Sequence, residues 1–355
     1  MSGTTTRSPG PWRRHKRAIT AVVAALVAAG FAYYVVPRLV GLGPTLRLLR
    51  RGDLWWLGLG VLFEALSYAG AVVLFRGVFA TPRNEVDWRA SYRIMVAGAA
   101  ANKLVSAGGA GGITLGVWAL RAYGLSGADV ATGMVCYALL SYGVYMAAMA
   151  IAGFGLWFGV FDGPAPAAVT LVPALLATAL ILIVVSMLFF DEPLERFLNR
   201  RADRSDGKKA EWWRRAAAVP RSLREGLLAA IGMVKRRDPS VLGALANWGF
   251  DIGVLWASFH AFGDSPPGAT LVMGYYLGTL ANVLPVPGGV GGVEAGMIGA
   301  FLAFGTQRQL AVLAVLAYRT ISFWLPTIPG AIAYLGLRRQ FKHADDGADQ
   351  PERPG

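Results

Sequence analysis

ANVLPVPGGVGGVEAG, residues 281–296, decides how the rest of the chain is read. Prolines and glycines break an otherwise apolar run, an acid (Glu294) stands near its end, and strongly hydrophobic sequence flanks it on both sides. In a soluble protein such a stretch is a loop. Between membrane helices it is something else, because unpaired backbone amides cannot face hydrocarbon. A broken helix at that depth must be buried in protein or line a wet cavity. Discontinuous helices of this kind form the binding sites of transporters, although a turn outside the membrane has the same composition.

The stretch occurs twice. Residues 101–116 read ANKLVSAGGAGGITLG, and without a gap half of the positions are identical to 281–296. At a constant offset Asn102 matches Asn282, Gly108 matches Gly288 and Gly116 matches Gly296. Paired Gly/Pro-interrupted segments in corresponding positions of two halves point to a transport site.

Working outward, apolar runs of bilayer length recur through the 355 residues, of which 55% are hydrophobic and 15% charged. The pattern predicts an all-α polytopic membrane protein. The formal charge of +13 resides in segments that flank apolar runs. It therefore points to topology and anionic lipid headgroups rather than nucleic acid. A single cysteine, Cys136, excludes an intrachain disulfide, and the scattered His15, His260 and His343 have no metal-ligand spacing. No metal or cofactor is expected.

Residues 1–17 are a basic tail ending in Arg13, Arg14, Lys16 and Arg17, which sets the N-terminus in the cytoplasm. An uncleaved span follows at 18–36. The connection 37–53 carries Arg38, Arg47, Arg50 and Arg51 on the outside, against the positive-inside rule. Further spans are expected at 54–75, 129–158, 168–190, 241–262 and 309–337. Segment 191–240 holds thirteen Lys/Arg against eight Asp/Glu and is placed in the cytoplasm; within it, 212–234 suits a helix in the membrane interface or a solvated loop helix. The tail 338–355 is expected to be cytoplasmic and disordered, leaving 18–337 as one integral membrane domain.

The count is six full transmembrane helices plus two Gly/Pro-broken hairpins, 88–124 and 269–305, making eight to ten membrane segments. The first hairpin begins and ends on the cytoplasmic side and the second on the opposite side, which makes an inverted repeat.

Charges inside the apolar runs mark the candidate site. An acid at bilayer depth costs at least a few kcal/mol, so Glu64 and Asp251 must face the bundle interior or water. Each is a candidate for proton coupling, with a neutral, hydrogen-bonded acid as the structural alternative. Arg319, in YRTISFWLP at 318–326, needs a partner, and Glu294 is the natural one. That pair either locks two helices or shares a polar cavity in which Arg319 and Lys103 meet a phosphate. Gly288 and Gly289 would add amide donors at the broken helix ends, with Asn102 and Asn282 capping or lining them. No nucleophile–base set and no Walker lysine is present, so an enzyme is not expected, although Glu64, Asp251 and Glu294 could act as acids or bases.

On LPVPGGVGGVE with Glu294, on YRTISFWLP with Arg319 and on the first ANKLVSAGGAGG, the chain resembles the flippase-like transmembrane domain of lysylphosphatidylglycerol synthases, from about Asp53 to Leu337. The resemblance implies translocation of a polar-headgroup lipid between leaflets of the cell membrane. The lipid would be a phospholipid, aminoacylated or not, or a polyprenyl-phosphate lipid of envelope assembly. Bifunctional relatives carry a cytosolic aminoacyl-transferase domain after the membrane part; the sequence runs only a short way past Leu337, which leaves transport alone. A proton-coupled transporter of a soluble substrate and a non-transporting scaffold for envelope enzymes are the other readings.

Overall fold

The computed structural model describes residues 52–80, 86–104, 110–205, 207–283 and 291–324, with scattered positions between 326 and 336. The expected first span and both tails lie outside the described residues. A compact unit begins at Gly52. Among the described residues there are helices and turns but no strands.

The elements are α1 (Leu54–Phe79), α2 (Trp88–Leu104), α3 (Ala110–Ala122), α4 (Gly127–Trp157), α5 (Leu171–Asp203), α6 (Gly207–Lys235), a 3-10 turn (Pro239–Val241), α7 (Leu242–His260), α8 (Gly268–Thr279), α9 (Gly292–Ala303) and α10 (Arg308–Arg319). A π-helical turn, Thr320–Trp324, extends α10. Asp53 caps α1 by accepting from Trp55 N–H, and the Ser126 hydroxyl caps α4 by accepting from Asp129 N–H. α1, α4 and the segment Pro239–His260 are long and apolar enough to cross a membrane; Leu171–Ser186 and Gly292–Ala303 are shorter apolar stretches.

Both broken segments fold as helical hairpins. In the first, α2 packs on α3, and the Asn102 side chain accepts from Gly112 N–H. In the second, α8 packs on α9 so closely that a methyl on Gly278 would sit 2.9 Å from Met297 Cα. A methyl on Gly296 would in turn lie 3.2 Å from Gly278 Cα. Glycine is needed at both positions for the arms to meet. The tips of the two hairpins, 105–109 and 284–290, lie outside the described residues.

The most extensive helix contact joins α1 to α7, antiparallel along their length. Glycines set it: a Cβ on Gly70 would meet Asn247 N–H and Gly243 C=O below 3 Å, and one on Gly243 would collide with the Gly70 carbonyl. At the centre Ser67 donates its hydroxyl to Asn247 C=O (2.9 Å), and Asn247 Nδ2 donates to Ser67 Oγ (2.9 Å) and Ser67 C=O (3.2 Å). Each thereby satisfies the polar groups of the other in an apolar setting.

Three sequence expectations shift. The apolar run at 168–190 is part of a longer helix reaching Asp203. The run at 309–337 is α-helical to Arg319, passes through the π turn, and is helical again at most of the scattered positions described beyond it. α6, expected as an interface or loop helix at 212–234, packs on α4 and α5, with Leu227, Ala230 and Met233 buried. Trp212, Leu228 and Val234 of the same helix stay exposed.

Candidate functional site

The core of the bundle is apolar around Tyr145, Leu255, Phe259, Met273, Met297 and Phe301. On the crossing held by Ser67 with Asn247 and by Phe63 against Gly253, α1 carries Glu64 and α7 carries Asp251. Glu64 is 4% exposed. Asp251 Oδ2 accepts from two phenols, Tyr275 of α8 at 2.5 Å and Tyr318 of α10 at 3.3 Å. One carboxylate thus ties α7, the first arm of the second hairpin and α10 together. Tyr68, one turn from Glu64, lies in the electrostatic field of both acids, as does Tyr318.

Next along α10, Arg319 Nε donates to Glu294 Oε1 at 3.1 Å, with the two side chains only 12% and 17% exposed. Glu294 is in the first turn of α9, and its other oxygen accepts from Gly291 N–H at 2.6 Å. Gly291 holds φ 86°, in the left-handed region that favours glycine. The acid therefore does two things at once: it stabilises the start of a helix and anchors the cation of the next element. The Arg319 guanidinium also lies 4.8 Å from the Phe323 ring centroid in the π turn. The partner expected for Arg319 is the one found.

Of the other predicted residues, Asn102 is placed on the first hairpin against Gly112. Gly288 and Gly289, and the side chains of Lys103 and Asn282, lie outside what is described. Among the described residues no group of three or more His, Cys, Asp or Glu could hold a metal ion.

An aromatic layer buttresses the second hairpin. The Tyr145 hydroxyl of α4 donates to Tyr276 C=O at 2.7 Å, and Trp248 Nε1 of α7 donates to Ser141 C=O at 2.9 Å. The rings of Tyr145, Trp248, Tyr275 and Tyr276 pack edge to face. Sequence reasoning did not single out Ser67, Tyr68, Tyr275 or Tyr318. The constant offset between the halves was the available signal: extended to α1 and α7, it matches Ser67 to Asn247.

On the flank of the bundle, α1, α2 and the segment after the π turn enclose a groove of about 480 Å³. Val61, Ala65, Val72, Tyr92 and Pro329 form its walls, and Glu64 and Tyr68 line it as well. Val61, Trp88 and Tyr92 along it are exposed, so the groove is open at the surface of the described bundle. Arg76 stacks over Trp88 at 4.5 Å beside it. A second cavity of about 670 Å³ lies between α4, Asp162 and the start of α8.

Residues 21–330 match the family described as the lysylphosphatidylglycerol synthase TM region. A UPF0104 membrane protein of Methanothermobacter thermautotrophicus is 23% identical over 346 residues, which cover 91% of this chain and 96% of the relative. Shorter alignments reach 33% identity over 98 residues with a UPF0104 membrane protein of the same organism, and 29% over 120 residues with one of Pyrococcus horikoshii. In those two the chain spans only 28% and 36% of the relative's length. Helix length, composition and relatives agree that this is a helical membrane protein.

Proposed function

We propose that this protein, which belongs to the lysylphosphatidylglycerol synthase transmembrane-region family, moves a polar-headgroup lipid between the leaflets of the cell membrane and is not itself an enzyme. The observation that carries the reading is the open groove along α1, a helix long and apolar enough to cross a membrane. Its walls are apolar enough for a lipid tail, and a buried carboxylate and a phenol stand along it. A soluble substrate would call for a polar, enclosed vestibule. The lipid is a phospholipid, aminoacylated or not, or a polyprenyl-phosphate lipid.

The route across uses the two hairpins. Asn102, Lys103, Asn282, the amides of Gly288 and Gly289, and Arg319 meet the headgroup while Glu294 holds Arg319 in place. An inverted repeat would let the site face either leaflet. The α1–α7 crossing supports that arrangement: the hydrogen-bonded pair at its centre, Ser67 and Asn247, is separated by 180 residues, the same offset as Asn102 and Asn282. The contact of Gly70 with Gly243 on one side is matched on the other by that of Phe63 with Phe250, again at this offset. α2, α3 and α4 correspond likewise to α8, α9 and α10. Both termini face the cytoplasm in this arrangement, and the basic segment 191–240 meets anionic headgroups there.

Purified protein in vesicles with fluorescent lipids of differing headgroup, read by access of a quencher to the outer leaflet, tests the proposal. Protein-dependent crossing of one headgroup class is expected, and Ala65→Trp, which plugs the groove from an exposed position, should remove it. No acceleration for any lipid, or full activity with the groove plugged, would overturn it.

A further inference from the structure

The groove on the flank is lined along α1 from Val61 to Val73 and along α2 from Trp88 to Val96. The helical rise from Val61 to Val73 is about 18 Å. One leaflet offers roughly 15 Å of hydrocarbon. The groove is therefore about one leaflet deep, mostly apolar, and open at the surface.

A cation stands at one end of it. Arg76, three residues beyond Val73, holds its guanidinium 4.5 Å from the ring centroid of Trp88, which itself lines the groove. Among the described residues its Nε is buried and has no acceptor. A buried donor left unpaired costs free energy, and more when it belongs to a charged group. A cation in the last turn of α1 suits the helix dipole, but the dipole gives no reason to bury that donor. Asp87, next to Trp88 in sequence, spends its carboxylate on Ala90 N–H at 2.7 Å and so caps α2. The indole positions the arginine and leaves its N–H fork to a further, oxyanionic partner.

We propose that Arg76 receives the phosphate of a lipid drawn from the leaflet at the C-terminal end of α1, while one tail of that lipid lies in the groove. This rests on the transport reading above and deepens it: the cargo is a lipid with a phosphate next to its tails, and this is where it is loaded. The phosphate meets the guanidinium in charge-assisted, bidentate contact. Trp88 and Tyr92, exposed along the groove, lie against the part of the chain nearest the phosphate, the level that amphipathic rings favour. Glu64 stands about 18 Å from Arg76 along α1, so the acid meets the tail and does not repel the phosphate. A soluble anion would gain from the arginine but nothing from the groove, and an uncharged lipid the reverse. In the arrangement proposed above, the loading leaflet is the cytoplasmic one.

Photo-crosslinking of the full chain in an uncharged maltoside detergent reads docking without transport. The probe is phosphatidic acid with a diazirine in one tail, compared with diacylglycerol carrying the same tails, and labelled peptides are mapped by mass spectrometry. Phosphatidic acid should label 61–73 and 88–96 about tenfold more than diacylglycerol does. Arg76→Gln should remove that preference and Arg76→Lys, which keeps a point charge without the fork, should restore part of it. Thermal transitions check that both variants fold, and the comparison of the two lipids on wild type needs neither. Equal labelling by the two lipids, or a preference that survives Arg76→Gln, overturns the docking site even if lipid crosses. A phosphate preference in a protein that accelerates no lipid in vesicles overturns the transport reading and leaves the docking site standing.

Discussion

At the scale of single residues, Glu294 shows why an acid survives in an apolar helix. One oxygen caps the backbone at Gly291 and the other holds Arg319, so both oxygens are spent on neighbours. Truncating one partner removes this pairing from a charge that is nearly buried, which costs about 3 kcal/mol. Glu294→Ala should therefore lower the denaturation midpoint strongly, and Glu294→Ala with Arg319→Met should recover a large part of the loss. A double variant no more stable than the single one would show that the pair contributes nothing through its charges. Gly278 makes a second prediction of another kind. An added methyl meets Met297 Cα, backbone that cannot rotate away. Gly278→Ala should cost about 1–3 kcal/mol through overpacking of the second hairpin. The same change at Gly249, with open space around it, should cost nothing in packing and gain the helix propensity of alanine. Thermal transitions of the two variants side by side check this.

At the scale of elements, the turn between α6 and α7 fixes where the basic segment joins the bundle. Asp238 Oδ1 accepts from the Ser240 hydroxyl at 2.6 Å and from Ser240 N–H at 3.0 Å, and these two bonds hold its carboxyl below the usual carboxylate range. A depressed folded value stabilises the fold above the unfolded value, near pH 4, and that contribution fades as pH falls through the folded value. Thermal midpoints of wild type should drop on acidification over this window, and Asp238→Asn, which keeps a capping side chain without a titrating charge, should drop less. Equal slopes would assign the acid sensitivity elsewhere. Glu225 of α6 behaves in the same direction through Arg221, then Thr132, but it is open to solvent and so contributes less. α6 also shows what hydropathy leaves undecided. An amphipathic helix with Trp and Arg suits a bilayer surface or a protein groove equally well, and only the positions of α4 and α5 settle that Leu227, Ala230 and Met233 face protein.

For the whole molecule, the sequence made the helical membrane class, the two broken segments and the pairing of Arg319 with Glu294 legible, each for a physical reason. Charges in apolar runs demand partners, and glycines and prolines in such runs break helices. The phenols on Asp251 were not legible, since Tyr275 and Tyr318 come from elements whose register depends on the packed hairpin. The crossing of α1 and α7 lay between these cases: the offset was visible, but its meaning as a contact needed the fold. What remains is the handedness of the two halves in the bilayer. Ala128 and Arg308 are exposed, open α4 and α10, and stand at the repeat offset from each other. Cys136 is the sole cysteine and is buried, so Cys136→Ala gives a clean background. Ala128→Cys and Arg308→Cys in that background should react with a membrane-impermeant maleimide from opposite sides, one in intact cells and the other in inverted vesicles. Labelling of both from one side would put the two hairpins in the same leaflet. A headgroup entering between them would then have no second face to leave by, and the pairing of Ser67 with Asn247 would be a packing contact rather than an axis.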